Sequence, residues 1–141
     1  MAADKTTIAR QFSEAIPFAR ELNMEFLTVE NGRAVARMPY DARLVGDPET
    51  GVIHGGAVSA LMDTCCGAAA IAHPDNPGVT ATIDLRIDYM RPATPGQAIT
   101  THAECYRLTR SVAFVTATAY DEDETRPVAR ANGAFTVERR R

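Results

Sequence analysis

The chain has 141 residues, of which 45% are apolar and 23% charged, with a formal net charge of −3. That is the make-up of one globular domain, expected over 1–141, with a core large enough to need neither disulfide nor metal. The slight acidity argues against nucleic acid as a partner. No apolar run has the length of a membrane span, and the start MAADKTTIAR lacks the layout of a secretory signal. Cys65, Cys66 and Cys105 are odd in number, two of them adjacent, which is no disulfide framework and fits a reducing cytoplasm.

Residues 1–20 read as a helical segment. Thr7 is a candidate cap, Ile8, Phe12, Ala15 and Ile16 recur on one face, and Pro17 disturbs the pattern. Two strand-like runs follow, Leu22–Glu30 and Arg33–Tyr40, joined by Asn31-Gly32. Asn-Gly between such runs predicts a hairpin, because both residues tolerate positive φ. A loop over 41–53 leads into a long helix from about His54 to Ala72, which the run His73-Pro74-Asp75-Asn76-Pro77-Gly78 ends.

The period then changes. From Val79 to Tyr89 apolar and polar residues alternate strictly, which predicts one long, half-buried strand. Three more strands are expected near Gln97–Leu108, Ser111–Asp121 and Pro127–Glu138, with turns at Thr109-Arg110 and Glu122-Asp123-Glu124. The order of elements predicts an α+β fold: one antiparallel sheet of about six strands, with a single helix covering a face.

Chemistry concentrates in the helix. Asp63 is the only carboxylate between His54 and Ala72, and apolar side chains surround nearly the whole circumference, so the helix is expected to be buried. A buried carboxylate without partners costs several kcal/mol, about what only structure or chemistry justifies. Gly55 and Gly56 leave backbone N–H groups unobstructed at the helix start, where the dipole favours negative charge. An acid and an oxyanion-type donor are the minimum equipment of a hydrolase.

Other readings are weaker. The glycines could serve close packing alone, no Gly-Lys-Ser/Thr follows them, and Ser59 lacks the flanking glycines of a nucleophile elbow. Cys65 and Cys66, set among alanines, read as small core residues. His54, His73 and His102 with the cysteines match no zinc spacing. His102 and Cys105 stand three apart on a strand and face opposite ways. No metal or cofactor is expected. On the strand from Val79, the face carrying Thr80, Thr82, Asp84, Arg86 and Asp88 is either solvated or turns one threonine into a cleft beside the helix.

The segments G-V-I-H-G-G-A-V-S-A-L-M-D-T (Gly51–Thr64) and T-I-D-L-R-I-D-Y-M-R-P-A (Thr82–Ala93) resemble the hotdog-fold acyl-CoA thioesterases of the phenylacetate-pathway (PaaI-like) type. The resemblance implies a sheet wrapped around the helix, and homodimers joined through edge strands or dimers of dimers. Active sites would lie at the subunit interface, with acyl-CoA as substrate. The strand from Val79 to Tyr89 suits that edge. Residue by residue, the resemblance makes Asp63 the catalytic acid, as nucleophile or general base. Gly55 becomes the glycine whose N–H polarises the thioester carbonyl, His54 the motif histidine, and Thr82 the hydroxyl that orients the attacking water. Gly56 and Arg91 are further candidates on the substrate side. One position departs: six residues before the motif histidine, where many members carry Asn, stands Pro48, and neighbouring Asp47 is the candidate replacement. Two other functions on the same fold remain open: a non-catalytic acyl-CoA binder, and a dehydratase or hydratase of acyl thioesters. Ala57, Ala60, Gly67 and Ala68 leave room beside the helix without naming the acyl group.

Overall fold

The computed structural model describes residues 10, 11 and 13–139. Thr7, Ile8 and Phe12 of the expected N-terminal helix lie outside them. Residues 10, 11 and 13–15 are helical, and Pro17 opens a second short helix rather than ending the first: α1 (Pro17–Glu21) has proline at its first position and Ile16, in extended geometry, as its cap. Strand β1 (Glu25–Glu30) starts three residues later than expected. Asn23 adopts a φ of 54°, and the Met24 N–H turns back to the Ala19 carbonyl, so this stretch is a helix exit.

Asn31 and Gly32, at φ 50° and 76°, make the tight turn into β2 (Arg33–Met38). The connection that reads as loop contains a 3₁₀ turn (Ala42–Leu44) and a small hairpin, β3 (Val45–Asp47) with β4 (Val52–Ile53). The long helix α2 runs from Gly55 to Ile71, within a residue of expectation at each end.

The strand expected over 79–89 is two strands. Gly78–Val79 (β5) pairs with Glu138–Arg139 (β10), and Thr82–Tyr89 (β6) pairs with β9 (Ala129–Thr136). Between them the backbone is held by the last turn of β9: the Ala81 N–H donates to Thr136 Oγ1 and the Thr80 hydroxyl to the Thr136 carbonyl at 2.7 Å. A bulge follows between Thr82 and Asp84. Bulges re-aim side chains and occur at sheet edges.

The main sheet has six antiparallel strands in the order β1-β2-β7-β8-β9-β6, with β7 at Ile99–Leu108 and β8 at Val112–Tyr120. One face packs on α2. Val58, Leu61, Met62, Cys65, Cys66 and Ala69 repeat at helical spacing and meet Ala34, Ala36, Met38, Ala103, Val115 and Ala117 in the core. Alanines on the strands let the helix lie close to the sheet. Two expectations about burial hold only in part. The helix is covered on one side only: Gly56, Ala60, Asp63, Thr64 and Gly67 form a partly open strip. Strand β6 is half-buried only at its centre, where Leu85 and Ile87 pack on the core; Ile83 at 55% and Tyr89 at 51% are exposed, because β6 is an edge strand with a neighbour on one side only.

Candidate active site

The N-terminal turn of α2 is over-determined. His54 is the cap, and its Nδ1 accepts from the Gly56 N–H at 2.8 Å, so the proton of the neutral ring sits on Nε2. A Cβ on Gly56 would lie 2.8 Å from that nitrogen, so only glycine leaves room for the cap. The His54 carbonyl accepts from the Ala57 N–H at 3.0 Å. The Gly55 carbonyl accepts from the Tyr89 hydroxyl at 2.8 Å and the Ser59 hydroxyl at 3.1 Å, and those two hydroxyls touch each other. The Gly55 N–H has no acceptor among the described residues, and it stands at the positive end of the helix dipole. Gly56 therefore supports the turn, and its own N–H is committed to His54 instead of a substrate.

Asp63 lies two turns further along, half-buried. The Thr82 hydroxyl donates to its Oδ1 at 2.7 Å. Both line an open cleft of about 220 Å³ with Ile16, Thr64, Gly67, Ile71, Thr80 and Phe135. The strand face from Thr80 thus does turn toward a cleft, and the two threonines divide the work: Thr80 bonds to backbone and Thr82 to the carboxylate. Thr82 holds the acid directly, and its lone pairs remain to accept from a water beside the carboxylate. The Cys66 thiol is pushed up to about 12, first by burial and then by the nearby Asp63 charge, which suits a core residue and not a nucleophile.

Asp47 and Arg91 take other positions. The Asp47 carboxylate accepts from the Glu49 N–H at 3.0 Å and closes the β3–β4 turn, and Asp47 lines neither the Asp63 cleft nor the Gly55 pocket. A Cβ on Gly46 would sit 2.9 Å from His54 Cα, so this hairpin packs directly on the helix cap. Arg91 lies beside the pocket that contains Gly55, but its guanidinium makes a bidentate pair with Asp121 at 2.6 and 2.7 Å and a further bond to the Arg126 carbonyl. Asp121 is buried and also accepts from the N–H and hydroxyl of Thr94. Arg91, the two Thr94 donors and the Asp123 N–H hold its carboxyl well below the usual range against the opposing effect of burial. Arg91 is a structural clamp here, with its charge already matched by Asp121.

Two residues beyond those expected enter the site, Tyr89 and Ser59. Ser59 stands four residues after Gly55, one helical turn on, a spacing that puts its hydroxyl over the Gly55 carbonyl. Nothing in the local pattern tells which end of β6 reaches the helix. Among the described residues no group of His, Cys, Asp and Glu is placed to hold a metal, and no helix is long and apolar enough to cross a membrane.

The thioesterase superfamily model matches residues 50–128, from the β3–β4 turn to the start of β9, and the chain belongs to that superfamily. It is 25% identical over 130 residues to the Escherichia coli medium/long-chain acyl-CoA thioesterase YigI, covering 83% of each chain. It is 38% identical to a Pseudomonas aeruginosa protein of known crystal structure, covering 94% of this chain and 98% of that one, with a TM-score of 0.82. A variant of the phenylacetic acid degradation protein PaaI from Thermus thermophilus is 26% identical, with a TM-score of 0.77 and coverage of 87% and 100%. The fold is the hotdog fold, of PaaI-like type, as the helix and strand motifs implied.

Proposed function

We propose that this protein hydrolyses an acyl-CoA thioester to a free carboxylic acid and CoA, at a site shared by two copies of the chain. The observation that carries this reading is the Asp63 carboxylate, held by Thr82 in an open cleft on the uncovered face of α2. Family membership and the likeness to YigI support the substrate class.

In this scheme Asp63 acts as general base. Water accepted by Thr82 Oγ1 loses a proton to the carboxylate as its oxygen attacks the thioester carbon. The carbonyl oxygen gathers charge against the Gly55 N–H. Collapse of the tetrahedral species breaks the C–S bond, and the departing thiolate takes up the proton from Asp63. Thiolate is a good leaving group, so the reaction needs no metal. One oxyanion donor is typically worth roughly 10²–10³ in rate and general-base assistance roughly 10²–10⁴.

The spacing supports a shared site. Gly55 and Asp63 are eight residues apart on one helix, about 12 Å along its axis at 1.5 Å per residue. A single carbonyl group does not span that distance. An antiparallel second copy, joined through the exposed β6 edge, would bring the Gly55 turn of one chain to the Asp63 of the other. The apolar side chains of Val79, Ile83 and Met90 on and beside that edge are the surface such pairing would cover.

Thiol release measured across aryl and short-to-long acyl-CoAs tests the activity, and absence of turnover on all of them would refute it. Mixing tests the shared site. A chain with Asp63→Ala and a chain with Gly55→Pro, which loses the N–H donor at a helix position that accepts proline, should each be inactive. After subunit exchange each mixed dimer holds one intact site, and activity should return. Continued inactivity with exchange demonstrated would place both groups in one chain. Water labelled with ¹⁸O in a single turnover should leave the Asp63 carboxylate unlabelled. Label in Asp63 would make it the nucleophile.

A further inference from the structure

We infer that Tyr89 and Ser59 are positioning residues that aim the Gly55 N–H, so that the end of the edge strand sets the geometry of the oxyanion donor. The inference rests on the thioesterase reading above.

Gly55 has no side chain with which to fix itself, and a free N–H at a helix start is aimed only as well as the peptide planes around it. Both planes are tied. The peptide preceding Gly55 is held through the His54 carbonyl by the Ala57 N–H. The peptide following it is held at both ends: its N–H, on Gly56, goes to His54 Nδ1, and its carbonyl takes the Tyr89 and Ser59 hydroxyls. The Tyr89 ring also lies flat enough on the turn to sit 3.5 Å from where a Gly55 Cβ would be. Among residues lining the apolar pocket around Gly55, with Val52, Ile53, Val58 and Met90, Tyr89 alone offers a hydroxyl.

The proton count makes the inference sharp. Tyr89 and Ser59 bring two hydroxyl protons to three contacts: each to the Gly55 carbonyl, and one between the hydroxyls. With either hydroxyl removed, the other still donates to the carbonyl. With both removed, the carbonyl keeps only the helix's own backbone donor, and the side-chain ties that fix the Gly55 peptide plane are lost. The two residues come from different elements, α2 and β6, so their joint loss uncouples the helix start from the strand. A misplacement of about 1 Å in a reacting group costs on the order of 10²-fold in rate.

The test is a double-mutant cycle with Tyr89→Phe, which keeps the ring, and Ser59→Ala, which favours helix, assayed by thiol release on an acyl-CoA that the native protein turns over. Each single change should lower kcat by roughly threefold and the double change by about 10²-fold, more than the product of the two. KM should stay within about twofold, because the groups act on the transition state through Gly55 and do not touch the substrate. Light scattering and thermal melts accompany each variant, since a merely structural pair would lower the melting temperature and leave kcat of the folded fraction alone. Native kcat in the double variant, or in Tyr89→Phe alone should the double fail to fold, overturns the inference, as does a loss confined to KM. An unaffected Tyr89→Phe beside an inactive Asp63→Asn overturns this inference only. A native protein that cleaves no acyl-CoA overturns the functional reading with it.

Discussion

The two working regions of α2 are built on opposite plans. At the N-terminal turn the reacting group is backbone, and four partners, His54, Ala57, Ser59 and Tyr89, tie down every neighbouring peptide group but one. Two turns along, the reacting group is a side chain whose described hydrogen bond is the one from the Thr82 hydroxyl. Proline alone removes a backbone donor, so for every other substitution its direction is the variable, and many contacts share it. A carboxylate can be deleted by one substitution, and one contact sets its orientation. Changes at the two regions should therefore differ in size and kind.

The largest effect belongs to the carboxylate. Asp63→Asn is nearly isosteric and should keep fold and assembly while lowering kcat by roughly 10²–10⁴. A variant of native activity at saturating substrate would remove Asp63 from the chemistry. At the other region, Gly56→Ala should separate activity from stability. The new methyl displaces His54 Nδ1, and losing a cap costs about 1 kcal/mol. Replacing Gly by Ala inside a helix returns about 1 kcal/mol. The melting temperature should hardly move, while kcat should fall by roughly tenfold or more as Gly55 loses its reference. An equal fall in stability and none in kcat would make the turn mere scaffold.

Thr82 and Thr80 sharpen the contrast from the strand side. Hydrogen bonds to a charged group contribute about 1.5–3 kcal/mol, and neutral ones about 1 kcal/mol. Thr82→Ala should cut kcat by about tenfold or more, each factor of ten being about 1.4 kcal/mol. Thr80→Ala removes the bond to the Thr136 carbonyl and should cost about 1 kcal/mol of stability with little change in kcat. Equal kinetic effects would show that the cleft does not tell the two hydroxyls apart.

The smallest effect on kcat lies outside both regions and is read as stability against pH. Asp121 has its pKa lowered in the fold, chiefly by Arg91, so its contribution to stability is present above the unfolded carboxylate value of 3.8 and is lost as pH falls below it. Melting temperature should be flat near neutrality and decline below about pH 4. Asp121→Asn should melt lower at neutral pH and show a shallower acid decline. An unchanged acid decline would assign it to other carboxylates.

The hairpin at Asn31-Gly32, the limits of α2 and the six-strand count were legible in the sequence, because each rests on interactions between residues close along the chain: a turn's φ angles, a helix's cap, a strand's alternation. Asp63 stood out for the same reason, as one charge in an apolar run. The family motif brought in Thr82 only as a water-orienting hydroxyl; its bond to Asp63 was not legible, since the two lie nineteen residues apart and no period links them. Local pattern failed where neighbours from elsewhere in the chain decide. Alternation from Val79 to Tyr89 reads as one half-buried strand, but Thr136 breaks it at Thr80–Ala81, and its place at the sheet's edge confines the burial to Leu85 and Ile87. An apolar circumference reads as a helix buried all round, but a single sheet covers only one side of α2. Arg91 reads as a cation free for substrate until β8 delivers Asp121 to it.

By itself, then, the sequence determined which residues turn, cap, alternate and carry the charge, because those properties are written in backbone preferences and spacing. Only the tertiary structure decided where the edge strand breaks, what the Thr82 hydroxyl bonds to and which hydroxyls hold Gly55. Those are contacts between segments distant in the chain, and their energies exist only once the sheet has brought the segments together.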